Sequence, residues 1–133
     1  MAKLRTLTKN WDELAESITI PDTYTRIAKD AFNYNLNLKN VVLPDSIVSI
    51  GDCAFFMCFE LRHINIPKSV KTIGHHAFMN CDKLERITLS ENIKRIGTFA
   101  FSGCDNLIIE CKRDSYAYRY CKRYYYLNVK IIE

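Results

Sequence analysis

The sequence holds no run of about 18 apolar residues, so nothing in it reads as a membrane-spanning helix. Its first stretch, MAKLRTLTKNWDELAES, lacks an apolar signal-peptide core. That predicts a cytoplasmic chain, with the cell surface as the alternative if a leader has been removed. Only four glycines and three prolines are present, and the composition is not that of a disordered chain. No serine sits in a nucleophile elbow, no Gly-rich phosphate loop follows a strand, and no paired carboxylates stand apart from the solvated charges. These absences exclude the common enzyme classes, and neither catalytic residues nor a cofactor is expected.

Cysteine, by contrast, is plentiful at six residues. A small secreted protein would use them as a disulfide framework, but without a signal core they are expected as reduced thiols. With 133 residues, 48% hydrophobic and 26% charged, the chain has the length and balance of one globular domain. The net charge of +4 is uneven, because residues 110 to 133 carry six Lys or Arg against three acids.

Self-similarity is the strongest signal. The stretch IGHHAFMNC (Ile73 to Cys81) is preceded by IGDCAFFMC (Ile50 to Cys58), followed by IGTFAFSGC (Ile96 to Cys104), and echoed weakly by IAKDAFNYN (Ile27 to Asn35). The Ala-Phe pair falls at Ala31-Phe32, Ala54-Phe55, Ala77-Phe78 and Ala100-Phe101, a constant step of 23. Four units follow, 18 to 40, 41 to 63, 64 to 86 and 87 to 109, between an N-terminal cap (1 to 17) and a C-terminal cap (110 to 133). Their columns run Ile18, Val41, Ile64, Ile87; then Ile20, Leu43, Ile66, Leu89; then Pro21, Pro44, Pro67, Ser90. Further on come Ile27, Ile50, Ile73, Ile96 and Leu38, Leu61, Leu84, Leu107.

A unit this short cannot bury its own apolar side, but it can bury it against the same side of its neighbours, which makes the chain a solenoid. The alternating segment before each proline reads as a strand that proline ends by removing a donor. A second extended stretch ends in Ile-Gly, where Gly51, Gly74 and Gly97 suggest a tight bend or a positive φ. Thr23, Ser46, Ser69 and Asn92 share a column at the bend, where small polar side chains can satisfy backbone groups.

These residues resemble the leucine-rich repeat superfamily, specifically its BspA-like branch, whose consensus looks like I-P-x-S-V-x-x-I-G-x-x-A-F-x-x-C-x-x-L-x-x-I. The unit INIPKSVKTIGHHAFMNCDKLER matches it almost position for position. The resemblance implies an α+β repeat solenoid, a right-handed superhelix of four rungs with parallel β-ladders. It further implies an adhesion or interaction scaffold of the kind found on bacterial and protist surfaces. At the front, Asn10 with Glu13 reads as a capping box for a helix through about Ser17, with Trp11 and Leu14 available for burial. At the back, Asp114 or Ser115 caps a helix that buries Ala117, Tyr120, Cys121 and Tyr124 and turns Arg119, Lys122 and Arg123 outward. A strand over 128 to 132 is expected to close the edge.

The column of Cys58, Cys81 and Cys104 belongs to the core, where free cysteine serves as a small apolar residue. His75 and His76 vary down their columns and so are expected at the surface. Because Asp52 and Cys53 lie one rung below, these four side chains form a minor metal candidate, although zinc sites normally follow a recognisable spacing. The outward strand positions are free of the repeat: Asn40, His63 and Arg86; Val42, Asn65 and Thr88; and Lys39, Arg62 and Glu85. They form the candidate binding face for a protein or peptide. Nucleic acid on the basic, aromatic stretch YAYRYCKRYYYL is the alternative, as is a fragment of a surface adhesin.

Overall fold

The computed structural model describes residues 6–8 and 12–133. Two extended segments per repeat build parallel ladders on two sides of the core, one a continuous five-stranded sheet and the other two three-stranded sheets. The first segments are β2 (Ser17–Thr19), β4 (Asn40–Val42), β6 (His63–Ile64), β8 (Arg86–Leu89), β10 (Ile108–Cys111) and β11 (Asn128–Ile131). The second are β1 (Thr6–Leu7), β3 (Arg26–Ile27), β5 (Ser49–Ile50), β7 (Thr72–Ile73) and β9 (Arg95–Ile96), which pair in that order as one five-stranded sheet. The register follows the repeat, with Ile27 beside Ile50, Ile73 and Ile96. Alternation decides which side is buried: Ile87 and Leu89 point inward, and Arg86 and Thr88 outward.

The pairing extends beyond the four predicted rungs. Thr6–Leu7 pairs below Arg26–Ile27, while Ile108–Cys111 and Asn128–Ile131 continue the ladder above Arg86–Leu89. The solenoid therefore makes about five turns. Helical caps at both ends were expected, and among the described residues there is one helix, α1 (Tyr116–Lys122). The front instead carries a turn in which Asp12 accepts from Leu14 N at 2.9 Å and from Ala15 N at 3.1 Å. An aspartate that bonds its own following backbone competes with helix formation. Leu14, expected to be buried, is 78% exposed. Asn10 and Trp11 lie outside the described residues.

Between the sheets, Phe32, Phe55, Phe78 and Phe101 stack with centroids 5.1, 5.2 and 5.6 Å apart and planes within 7°. The spacing is near the ~4.8 Å separation of paired strands, so backbone pairing and ring stacking reinforce each other. Cys58, Cys81 and Cys104 fill the adjacent column as free, buried thiols. Each donates to the phenylalanine carbonyl one rung below, at Phe32, Phe55 and Phe78, over 3.0 to 3.1 Å. Burial pushes the Cys81 thiol well above its ordinary pKa, which disfavours the reactive thiolate there. In the first repeat, Asn35 replaces the cysteine and accepts from Asn37 N and Leu38 N.

The glycine column is required by space and not by φ. A Cβ on Gly51 would sit 2.6 Å from Lys29 N and 2.7 Å from the Ala28 carbonyl carbon, both backbone atoms. Gly74 faces Asp52 N and Gly97 faces His75 N in the same way. Positive φ belongs elsewhere, to residues that do not announce it. Asp30, Cys53, His76 and Phe99 form one such column, with φ of 55° to 62°. Tyr34, Met57, Asn80 and Gly103 form a second. The left-handed turn aims their N–H groups at the next rung, as in Cys53 N to His75 O and Met57 N to Met79 O, both 2.9 Å. The bond offsets a conformation that costs about 1 kcal/mol or more.

Gly74→Ala is therefore expected to destabilise by roughly 2 to 3 kcal/mol through backbone overlap. Ala28→Gly, at the end of the same column, should change stability by no more than about 1 kcal/mol. Urea midpoints of the two variants check this, and equal small shifts would refute the close-approach account.

Candidate partner-binding face

The nine outward residues are exposed or half-buried on or beside β4, β6 and β8, but many are already engaged. Asn40 donates to Ser17 Oγ at 3.1 Å. Lys39 pairs with Glu16 at 3.2 Å, and His63 pairs through Nε2 with Glu85 at 3.2 Å. Asn65 is part of the scaffold: its amide donates to Leu43 O and accepts from Leu43 N, each at 2.8 Å. That side chain takes the backbone groups a neighbouring strand would otherwise pair. The face sheet divides one rung further on, between β6 and β8, where Glu85 N donates to Arg62 O at 3.2 Å.

Around the seam the surface is grooved. One groove of about 500 Å³ is lined by Val42 together with Asn40, His63, Asn65 and Arg86. A second, of about 460 Å³, runs between Arg62, Lys83, Glu85, Arg86, Asn106 and Ile108. Arg86 is shared by both, and Val42 is half exposed. Among the described residues Arg62 makes no ion pair, whereas Lys83 grips Glu60 at 2.8 and 2.9 Å and holds its carboxyl below the usual range.

The sequence reading missed Glu110. Its carboxylate is mostly covered and collects Arg86 Nη1 at 3.2 Å, Thr88 Oγ1 at 3.1 Å and Lys130 Nζ at 3.8 Å. Thr88 pairs with Glu110, a step of 22, so counting by 23 places Cys111 in that column instead. A one-residue shortening of the last unit hides the residue that fixes Arg86.

The metal candidate does not assemble. Among the described residues no three His, Cys, Asp or Glu side chains converge. Asp52 Oδ1 accepts from His75 N, and His75 Nδ1 accepts from Thr98 N, both at 2.8 Å. His76 stacks on Phe99 with centroids 6.0 Å apart, and Cys53 holds a left-handed backbone. Each residue of the foursome is tied to the ladder rather than aimed at a common point.

On the C-terminal cap, Ser115 caps α1 by accepting from Tyr118 N at 3.1 Å. Ala117, Tyr120 and Cys121 are buried, while Arg119, Lys122 and Arg123 face outward. Burial raises the Cys121 thiol to about 12. Tyr120 donates to Gly97 O at 2.8 Å and Tyr116 accepts from Ile96 N at 3.2 Å, so the helix tyrosines are used in closing the end of β9. No described helix is long and apolar enough to cross a membrane.

A family model described as a BspA type leucine rich repeat region, present in six copies, matches residues 10–124. A leucine-rich repeat protein from Bacteroides ovatus ATCC 8483 is similar with a TM-score of 0.70 at 24% identity, over 89% of this chain and 42% of its own. A T. pallidum leucine rich repeat protein is similar at 0.62 and 23% identity, over 79% and 62%. A leucine rich cell surface protein from Faecalibacterium prausnitzii A2-165 is similar at 0.57 and 30% identity, over 77% and 34%. The chain thus spans less than two thirds of each of these proteins. No curated protein matches.

Proposed function

The chain belongs to the BspA-type leucine-rich repeat family, and on that premise we propose a non-enzymatic module that holds an extended segment of a protein partner on its outward strand face. The observation that carries this reading is the groove over Val42, an exposed apolar residue framed by His63 and Arg86. An apolar contact inside a ring of polar anchors is the pattern of a binding hot spot. Both anchors are held beforehand, His63 by Glu85 and Arg86 by Glu110, so little side-chain freedom is lost on binding. The placement we favour is a cell surface, as for the Faecalibacterium relative, whose name says as much.

The test is affinity capture from the native cell, followed by titration of the captured partner. His63→Ala with Arg86→Ala should weaken binding by roughly 2 kcal/mol or more with an unchanged melting temperature. Unaltered affinity, or a loss confined to neutralising Arg119, Lys122 and Arg123, would move the site to the cap. Salt-sensitive recovery of nucleic acid in place of a discrete protein would favour that alternative.

A further inference from the structure

The two grooves of the strand face differ in what lines them. Val42, half exposed, gives one of them an apolar contact. The other is lined by three cations, Arg62, Lys83 and Arg86, against one carboxylate, Glu85. That carboxylate lies 3.2 Å from His63 Nε2 and is taken up there. Because Arg86 lines both grooves, an occupant that crosses from one to the other passes from an apolar contact to a cationic one.

The three cations are not equivalent. Lys83 is held by Glu60 at 2.8 and 2.9 Å and Arg86 by Glu110 at 3.2 Å, and neither acid lines either of these grooves. Arg62 is exposed and, among the described residues, has no such partner. The surplus is felt by the nearest acid. Glu60 is held below its usual range by its bond to Lys83 first, and then by the charges of Lys83, Arg62 and Lys39. Arg86 spends only Nη1 on Glu110, and a guanidinium has further N–H donors to give.

These charges narrow what can lie in the grooves. A basic segment would meet Arg62, Lys83 and Arg86 with only Glu85 to offset them. A nucleic acid carries a negative charge at every residue, whereas here one cation stands without a partner. A single carboxylate matches that surplus, and its two oxygens suit the guanidinium fork. Val42 and Arg86 lie on strands two rungs apart, roughly 10 Å at ~4.8 Å per rung, and an extended chain rising ~3.3 Å per residue covers this in about three residues.

Building on the strand-face assignment, we propose that the segment held there is acidic: an apolar side chain seats on Val42 and, about two or three residues along, an Asp or Glu carboxylate bonds Arg62 together with a free donor of Arg86. Glu110 and Glu60 then act as positioning residues that keep Arg86 and Lys83 in place around the incoming acid.

Panning a display library of short random peptides against the full chain tests this. The enriched peptides should carry an Asp or Glu close to an aliphatic or aromatic residue, and sodium chloride should weaken their binding. In titrations with one such synthetic peptide, Arg62→Gln should lower affinity at least about tenfold, as expected for losing a charge-assisted hydrogen bond, with an unchanged melting temperature. Changing the acidic residue of the peptide to its amide should do the same. Arg62→Glu should reject the parent peptide and accept the version in which Lys replaces the acid. Neutralising Arg119, Lys122 and Arg123 should leave affinity unchanged. Enriched peptides that lack an acid, yet lose binding to the His63 and Arg86 double variant, would overturn the acidic partner and leave the strand face standing. Peptides indifferent to Arg62, His63 and Arg86 alike, or no enrichment at all, would overturn both.

Discussion

Phe78→Ala is expected to lower the unfolding free energy by about 3 to 5 kcal/mol. The ring is fully buried between Phe55 and Phe101, at 5.2 and 5.6 Å, so its removal empties the middle of a stack and leaves two neighbours facing a void. A rung cannot collapse to fill that space, because its backbone is held at both sides by inter-rung bonds such as Phe78 N to Ala100 O at 2.8 Å. Cys81→Ala, in the next buried column, should cost only on the order of 1 kcal/mol, since it removes one sulfur and a weak bond to Phe55 O. Denaturant midpoints of the two variants decide the matter. Equal losses would mean that the cysteines do more than fill space.

Removing residues 115 to 133 should be more damaging still, giving aggregation or partial unfolding instead of a shifted midpoint. The truncation takes away α1, with buried Ala117, Tyr120 and Cys121, and exposes the end of the core at Ile96 and Leu107. It also strips β11 from β10 along four residue pairs, leaving β10 as an unprotected edge. Exposed parallel edges recruit other chains. Light scattering and sedimentation of the truncated chain check this outcome, and a stable monomer would show that the core ends before the cap.

Sequence periodicity alone determined the repeat, the inward columns from Ile27 to Ile96 and from Phe32 to Phe101, and the outward row that became the candidate face. It could do so because burial in a solenoid is local in register: one step of 23 sets each residue's neighbours. The Ser115 cap and buried face of α1 were legible for a similar reason, since capping and helical spacing act within a few residues. Only the tertiary structure showed what depends on the neighbouring rung's backbone. The glycines answer to a close approach by residues 22 or 23 positions earlier, while the left-handed positions are occupied by Asp30, Cys53, His76 and Phe99, which carry no glycine signature. Asn65 reads as a free surface amide until its grip on Leu43 is seen, and Glu110 stays hidden because the final unit is one residue short. His75 and Asp52, adjacent enough in arithmetic to suggest a metal, are each committed to an N–H of the following rung. Hydrogen bonds between rungs decide these roles, and a single unit of sequence contains only one of the two partners.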